Sequence, residues 1–322
     1  MPKGIRIHTI GGPEVLRWED IDVPAPSAGQ LQVRHTAIGL NFIDIYHRTG
    51  VYPISLPAII GSEAVGVVES VGLGVGEFKP GDRITYAPLI GAYCEIRNMP
   101  AERAIHVPAG IGDDQVAGMM LKGMTARSLL RRAYPVKKGD VILVHAAAGG
   151  VGLILCQWAK SLGATVLGTV GSEEKAALAA ANGCDHPIAY RKTDFAEAVR
   201  ELTRGEGVQA IYDGVGKDVF LKSLQCLAPF GTMVSFGQAS GRVEPFDPVL
   251  LRENAAYVTR ASLAIHVTKR ADLLASANDL FDVVQRGAVK ISIRHRYALS
   301  DAANAHRDLE GRKTDGSSVF IP

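Results

Sequence analysis

Ala147, Gly149 and Gly152 stand at the spacing A-x-G-x-x-G, directly after the apolar run "VILVHAA" and ahead of "LILCQWAKSL". The chemistry of that pattern is phosphate binding. A tight turn after a strand lets the main chain approach a pyrophosphate, and the helix that follows offers unpaired N–H groups and the positive end of its dipole. Gly149, Gly150 and Val151 are therefore candidate pyrophosphate contacts, and Gly152 is where helix and strand must pack closely. At the end of the next strand, where an NAD site places Asp or Glu, the chain reads Gly171-Ser172, with Lys175 one turn beyond. A hydroxyl, a helix N-terminus and an ammonium suit a 2′-phosphate better than a 2′-hydroxyl, so NADPH is the expected cofactor. Tyr190, ending the third strand, is expected to wall the adenosine. Lys175 has a second reading, a solvated lysine paired with Glu173 or Glu174. Those two acids also complement the dipole of the helix they open.

Such a loop needs a strand before it and a helix after it, and the chain supplies both in series. From about Leu121 the runs "VILVHAA", "TVLGTV", "HPIAY", "QAIYDGV" and "TMVSFG" alternate with helix-length segments such as "SEEKAALAAANG" and "DFAEAVRELT". That alternation predicts a doubly wound parallel sheet covered on both faces. Residues 1 to about 120 instead read as short β-branched strands ("GIRIHTI", "LQVRHTAIGL", "AVGVVESVG") punctuated by "GGPE", "PAPSAG" and "FKPGD", which predicts a β-rich unit. The expected domains are residues 1–121, β-rich; 122–259, dinucleotide-binding; and 260–322, returning to the first unit with a helix over about Lys269 to Arg286.

The 322 residues, 47% hydrophobic and 21% charged with 35 glycines, have the composition of a soluble enzyme. A formal charge of +2 argues against nucleic acid or an acidic membrane as partner. Cys94, Cys156, Cys184 and Cys226 are far apart in sequence and form neither a C-x-x-C clip nor a disulfide framework; reduced thiols and a cytoplasmic location are expected. The amino terminus has no apolar signal region. The uncharged run Val141–Ala159 is of membrane-spanning length, but its His145 and its glycine break fit a strand, a turn and a helix better. Tyr134 and Lys138 satisfy the Tyr-x-x-x-Lys spacing of short-chain dehydrogenases, yet they precede the glycine loop and enclose Pro135, so the match is coincidental. There is no H-E-x-x-H and no G-x-S-x-G; His145 reads as a core residue.

The segment "GDVILVHAAAGGVGLILCQWAK" resembles, along its whole length, the signature of the ζ-crystallin-like quinone oxidoreductases of the medium-chain dehydrogenase/reductase superfamily. "GLNFIDIYHRTGVYP", "GSEAVGVVESVG", "FKPGDRI", "LKGMTA", "VSFG", "YVTRASL" and "GSSVFIP" follow in family order, so the resemblance spans essentially the whole chain. It implies a GroES-like catalytic domain, a Rossmann domain, the cofactor in the cleft between them, and a homodimer. It also implies that Phe42, Asp44 and Tyr46 lie near the nicotinamide with Thr125 on its other side. Phe236, Gly237, Gln238, Ser262 and Leu263 would pass along the nicotinamide ribose, and Arg312 would close over the cofactor unless it is a plain surface arginine. Two positions depart from relatives: Ser128 replaces a tyrosine, and Gly214 replaces a serine.

Zinc-dependent members of the superfamily take ligands from G-x-C-x-x-D and G-H-E. Here these read Gly39-x-Asn41-x-x-Asp44 and Gly61-Ser62-Glu63. Glu63 alone cannot hold a catalytic zinc, which needs about three protein ligands, and no metal is expected. Glu63 is either a buried hydrogen-bonded carboxylate or a solvated turn residue. Without a Lewis acid the substrate must accept electrons readily, as quinones and activated enones do. The candidate catalytic residues are Asn41, Tyr46 and Tyr52. Asn41 would donate to the emerging oxyanion, its alternative being a turn-capping Asn; the tyrosines would stack or donate, or simply fill the core. The expected activity is zinc-independent, NADPH-dependent reduction of a quinone by hydride or one-electron transfer. Two alternatives stand beside it: enal or enone C=C reduction, and a non-catalytic NADPH- or RNA-binding role.

Overall fold

The structure, a computed structural model, describes residues 1–322. In chain order its elements begin β1 (Lys3–Ile7), β2 (Arg17–Asp20), β3 (Gln30–Leu40), α1 (Phe42–Arg48), β4 (Ala58–Ile59), β5 (Ala64–Val71), β6 (Arg83–Tyr86), β7 (Ile96–Pro100), β8 (Ile105–His106) and α2 (Asp113–Ser128). Then follow β9 (Val141–Val144), α3 (Gly150–Ser161), β10 (Thr165–Val170), α4 (Glu173–Ala181), β11 (His186–Ala189), α5 (Phe195–Leu202), β12 (Val208–Asp213), α6 (Phe220–Leu224), β13 (Leu227–Ser235), β14 (Tyr257–Arg260) and α7 (Leu263–His266). The chain finishes with α8 (Arg270–Gln285), β15 (Ile293–Ala298), α9 (Ala302–Glu310) and β16 (Ser317–Ile321). Two compact units result: Met1–Lys122 with Val267–Gln285 and Ile291–Pro322, and Gly123–His266 with Arg286–Lys290.

In the second unit the five predicted apolar runs are strands β9 to β13. Together with β14 they form one six-stranded sheet in the order β11-β10-β9-β12-β13-β14, parallel throughout. Strands such as "VILV" are apolar without alternation because both faces of a parallel sheet are covered. Leu143, Leu167, Ile188, Phe195, Val199 and Ile211 pack into one buried cluster. The uncharged run Val141–Ala159 divides into β9 and α3, and no helix is long and apolar enough to cross a membrane.

In the first unit a larger sheet runs β15-β16-β3-β5-β6-β8, with β7 also on β3, and β2-β1-β4 forms a smaller one. Strand β3 alternates buried and open positions through His35, then is buried continuously from Ala37 to Leu40. Its last residues therefore deliver α1 into the interior rather than to the surface. The fold class is α/β, with a β-rich unit and a doubly wound parallel-sheet unit, as the patterning predicts.

Candidate functional site

Because the six-stranded sheet is parallel, the carboxyl ends of its strands share one edge. The glycine loop, Gly171-Ser172, Tyr190 and Phe236-Gly237 all follow strand ends on that edge. At the glycine loop Ala146 adopts a left-handed conformation (φ 53°) and Gly149 is the N-cap of α3, with no side chain capping the helix. The first i→i−4 bond of α3 runs from Leu153 N to Gly149 O (2.9 Å). The amides of Gly150, Val151 and Gly152 precede it and face outward from the helix end. The Gly149 amide is already bonded to Ala146 O (2.9 Å), so it is not a spare donor. At Gly152 a Cβ would stand 2.3 Å from Ala146 O and 2.7 Å from Ala147 O, so only glycine lets α3 begin this near its strand. His145, 2% exposed, braces the turn from inside. Its Nδ1 meets Thr169 Oγ1 (2.9 Å) and its Nε2 meets Ser223 Oγ (2.8 Å), while Ala146 N donates to Thr169 Oγ1 (3.3 Å). Burial holds its pKa down at about 3, so the ring is neutral and structural.

At the next strand end Ser172 is the N-cap of α4, its Oγ accepting from Lys175 N (3.3 Å). Glu173 pairs with Lys192 (2.8 Å), and a hydrogen bond with the Ser172 side chain holds the Glu174 carboxyl below its usual range. The Tyr190 hydroxyl lies 3.0 Å from where a Cβ on Gly171 would sit, so the ring covers that glycine while staying 41% exposed. At the end of β13 a Cβ on Gly237 would fall 2.5 Å from Gly214 O, and one on Gly214 would press on the Phe236 ring at 3.0 Å. The departure from serine at 214 thus leaves room for that ring. Arg260 Nη1 fastens the segment through Ser235 Oγ and Gly237 O, both at 2.8 Å. Thr125, Gln238 and Leu263 are half-buried in this unit and Ser262 is exposed; Arg312 is exposed in the other, in a left-handed conformation (φ 57°).

Two residues here escaped the sequence reading. Asp213 ends β12 fully buried. Its Oδ1 accepts from Val215 N (2.7 Å) and Gly216 N (2.9 Å), its Oδ2 has no partner, and burial pushes its pKa up to about 6. Arg260 is the other. A charged residue at a strand end was the available signal for both, in a glycine-rich setting for Asp213.

In the first unit, Asn41 is the N-cap of α1 and 6% exposed. Its position caps the helix, as the turn-capping alternative has it, while its Nδ2 donates to Glu63 Oε1 (2.8 Å). Its main-chain N–H donates to Asp44 Oδ2 (2.9 Å). Asp44 is fully buried and occupied: Tyr93 OH donates to Oδ2 (2.9 Å) and Ser62 Oγ to Oδ1 (2.7 Å). Its carboxylate is spent on holding α1 and does not face outward. Burial pushes its pKa up to about 7.

Glu63 resolves to the buried alternative. It is 0% exposed and accepts from Leu121 N (2.5 Å), Lys122 Nζ (3.1 Å) and Asn41. Phe42, Tyr46 and Tyr52 form an aromatic run, with Tyr46 ring centroids 6.2 Å from Phe42 and 5.2 Å, edge-on, from Tyr52. Tyr46 is 8% exposed and Tyr52 half-buried. Behind α1, Arg48 is 1% exposed, its Nη2 on Glu310 (2.6 Å) and its Nη1 on His306 Nδ1 (3.0 Å). Arginine only donates, so His306 Nδ1 accepts and its Nε2–H serves the Tyr93 hydroxyl (3.1 Å). Burial, with the Arg48 charge, keeps His306 neutral at a pKa of about 3. No group of three or more His, Cys, Asp or Glu is placed to hold a metal ion.

Family models match both regions: the alcohol dehydrogenase GroES-like domain over residues 27–137 and the zinc-binding dehydrogenase over residues 150–273. The chain is 47% identical over 326 aligned residues to a quinone oxidoreductase of Pseudomonas aeruginosa, covering 100% of each. It is 46% identical to a 2-haloacrylate reductase of a Burkholderia species, covering 98% of each. Among solved structures, that of Escherichia coli quinone oxidoreductase complexed with NADPH superposes with a TM-score of 0.97 at 45% identity, covering 99% of this chain and 100% of that one.

Proposed function

The chain belongs to the quinone oxidoreductases of the medium-chain dehydrogenase/reductase superfamily, and from that premise we propose how its residues divide the work of NADPH-dependent quinone reduction. The second unit suits the cofactor. Amides of Gly150 and Val151 stand at an uncapped helix end, and Gly152 and Gly237 sit where any Cβ would collide with main chain. Ser172 and Lys175 take the 2′-phosphate and Tyr190 the adenine face; Phe236, Gly237, Gln238, Thr125, Ser262, Leu263 and Arg312 complete the cofactor contacts. When bound, NADPH supplies the reducing equivalents. Asn41 contributes an amide N–H to the substrate oxygen, while Phe42, Tyr46 and Tyr52 give the ring an apolar surface.

The observation that carries this reading is the state of Asn41. One of its two side-chain donors is taken by Glu63, which leaves the other for a ligand in a setting that is 6% exposed. A second reading, reduction of an activated C=C bond, is favoured by the likeness to the 2-haloacrylate reductase. The four cysteines are free and buried, which suits a reducing cytoplasm, and we propose a homodimer, to be checked by light scattering.

The deciding experiment titrates the protein with NADPH and NADH, then follows NADPH oxidation in stopped flow with 9,10-phenanthrenequinone, a para-quinone panel and 2-chloroacrylate. Rapid oxidation by a quinone, with NADPH affinity reduced about tenfold and NADH affinity unchanged in Lys175→Ala, is the expected result. Turnover confined to 2-chloroacrylate would move the substrate to the second reading. Background rates throughout would leave only a binding role.

A further inference from the structure

Asn41 is held by two carboxylates at once. Asp44 takes its main-chain N–H and Glu63 takes one side-chain N–H. The second grip is built from distant parts of the chain: Glu63 from the turn ahead of β5, Leu121 and Lys122 from α2, and Leu40 from the end of β3, whose carbonyl accepts from Lys122 Nζ (3.1 Å). Lys122 and Glu63 are 8% and 0% exposed at their side chains, an arrangement that costs desolvation and adds little net stability compared with apolar residues of the same size. The seat is also specified by an absence: a Cβ on Gly39 would fall 2.1 Å from Glu63 Oε1.

A carboxylate only accepts, so Glu63 can receive the nitrogen end of the Asn41 amide and never the oxygen end. It fixes which way the amide faces. A neutral carboxamide at 63 would accept from nitrogen or donate to oxygen, and both orientations of Asn41 would be populated. Lys122 pairs with Glu63 (3.1 Å) and holds it in place.

We propose that Glu63 and Lys122 are positioning residues for the reduction, acting through Asn41 by presenting its remaining amide N–H to the substrate oxygen. This rests on the assignment of Asn41 as the substrate donor and adds the residues that orient it.

The test compares the parent, Asn41→Ala, the charge-neutral pair Glu63→Gln/Lys122→Met, and the triple variant. Each is loaded with NADPH and mixed with 9,10-phenanthrenequinone, and the single-turnover rate, the quinone KM and the NADPH Kd are read. Asn41→Ala is expected to slow turnover about 100-fold, the size seen when one oxyanion donor is removed. The neutral pair is expected to slow it about tenfold with KM and NADPH Kd within about twofold of the parent, and the triple variant to match Asn41→Ala. A role in folding alone would lower the unfolding temperature without that separation of rate from binding. If the pair variant turns over at the parent rate while Asn41→Ala is slow, the inference is overturned and the donor assignment stands. A triple variant slower than Asn41→Ala by another tenfold overturns it too, since the pair would then act by a separate route. If Asn41→Ala keeps the parent rate, the donor assignment falls and the inference with it. Should the double variant fail to fold, Glu63→Gln alone gives the same readings.

Discussion

Replacing Gly152 with alanine tests the cofactor site from its geometry. The added Cβ would stand 2.3 Å from Ala146 O and 2.7 Å from Ala147 O. Carbon–oxygen contacts relax near about 3.3 Å, so the first turn of α3 must withdraw by about 1 Å. An N–H···O bond made at about 2.9 Å and stretched by that amount is no longer a hydrogen bond. Two such bonds from α3 amides to a charged pyrophosphate, at about 1.5 kcal/mol each, amount to about 3 kcal/mol, or about 100-fold in Kd. The overpacking itself costs about 1–3 kcal/mol of folding stability. Gly149 provides the control, because its Cβ would lie 3.2 Å from a single atom, Ala146 O, on a backbone of φ −78° that any residue accepts. NADPH titration by calorimetry, paired with thermal unfolding, reads both effects. Expected are a loss of about 100-fold for Gly152→Ala and under about fivefold for Gly149→Ala. A folded Gly152→Ala protein that binds NADPH within about threefold of the parent would refute the claim that close approach of α3 makes the site.

Asp44→Asn should change how stability depends on pH. Burial raises Asp44 from 3.8 to about 7 in the folded protein, so below about pH 4 both folded and unfolded states hold the proton and the penalty is absent. Between about pH 4 and 7 the unfolded carboxyl gives up its proton while the folded one keeps it, so stability falls by on the order of 4 kcal/mol and levels off above 7. Urea unfolding from pH 4 to 8 should show the parent losing stability relative to Asp44→Asn across that window; parallel curves would contradict the assignment. Arg48→Met strands His306 Nδ1 and one oxygen of Glu310 and should cost about 3–5 kcal/mol by urea unfolding. A loss under about 1 kcal/mol would mean that α9 does not hold α1.

What was readable in the sequence is what depends on near neighbours. The alternation of "VILV", "TVLGTV" and "QAIYD" with helical segments specifies a parallel sheet because burial on both faces demands unbroken apolar runs, and the glycine loop specifies its own turn. Ser172 could be placed at a strand end because its capping partner is three residues away. The buried partners of Asp44 could not be read in the same way. Its partners Ser62 and Tyr93 lie 18 and 49 residues off, and nothing local shows that a helix carboxylate points inward. Arg48 meets His306 across 258 residues and Lys122 meets Glu63 across 59. Lys122 did leave a trace, as the lone charge within "VAGMMLKGMTA", a stretch otherwise apolar enough to be buried.

Strand β16 adds a consequence for how the molecule is made. It pairs with the inner end of β3, Ser318 against Leu40 and Phe320 against Ile38, and α9 just before it supplies the seat of Arg48. A ribosome makes these partners far apart in time. The roughly 200 residues between Lys122 and Ser317, at about 5–20 residues per second, take about 10–40 s to emerge. Through that interval the β3 edge and the carboxyl end of α1 wait without their mates, while residues 123–266 leave the exit tunnel as one uninterrupted stretch with a complete sheet of their own. The nascent chain can therefore complete its parallel sheet first, and α1 gains its last partners only as translation finishes.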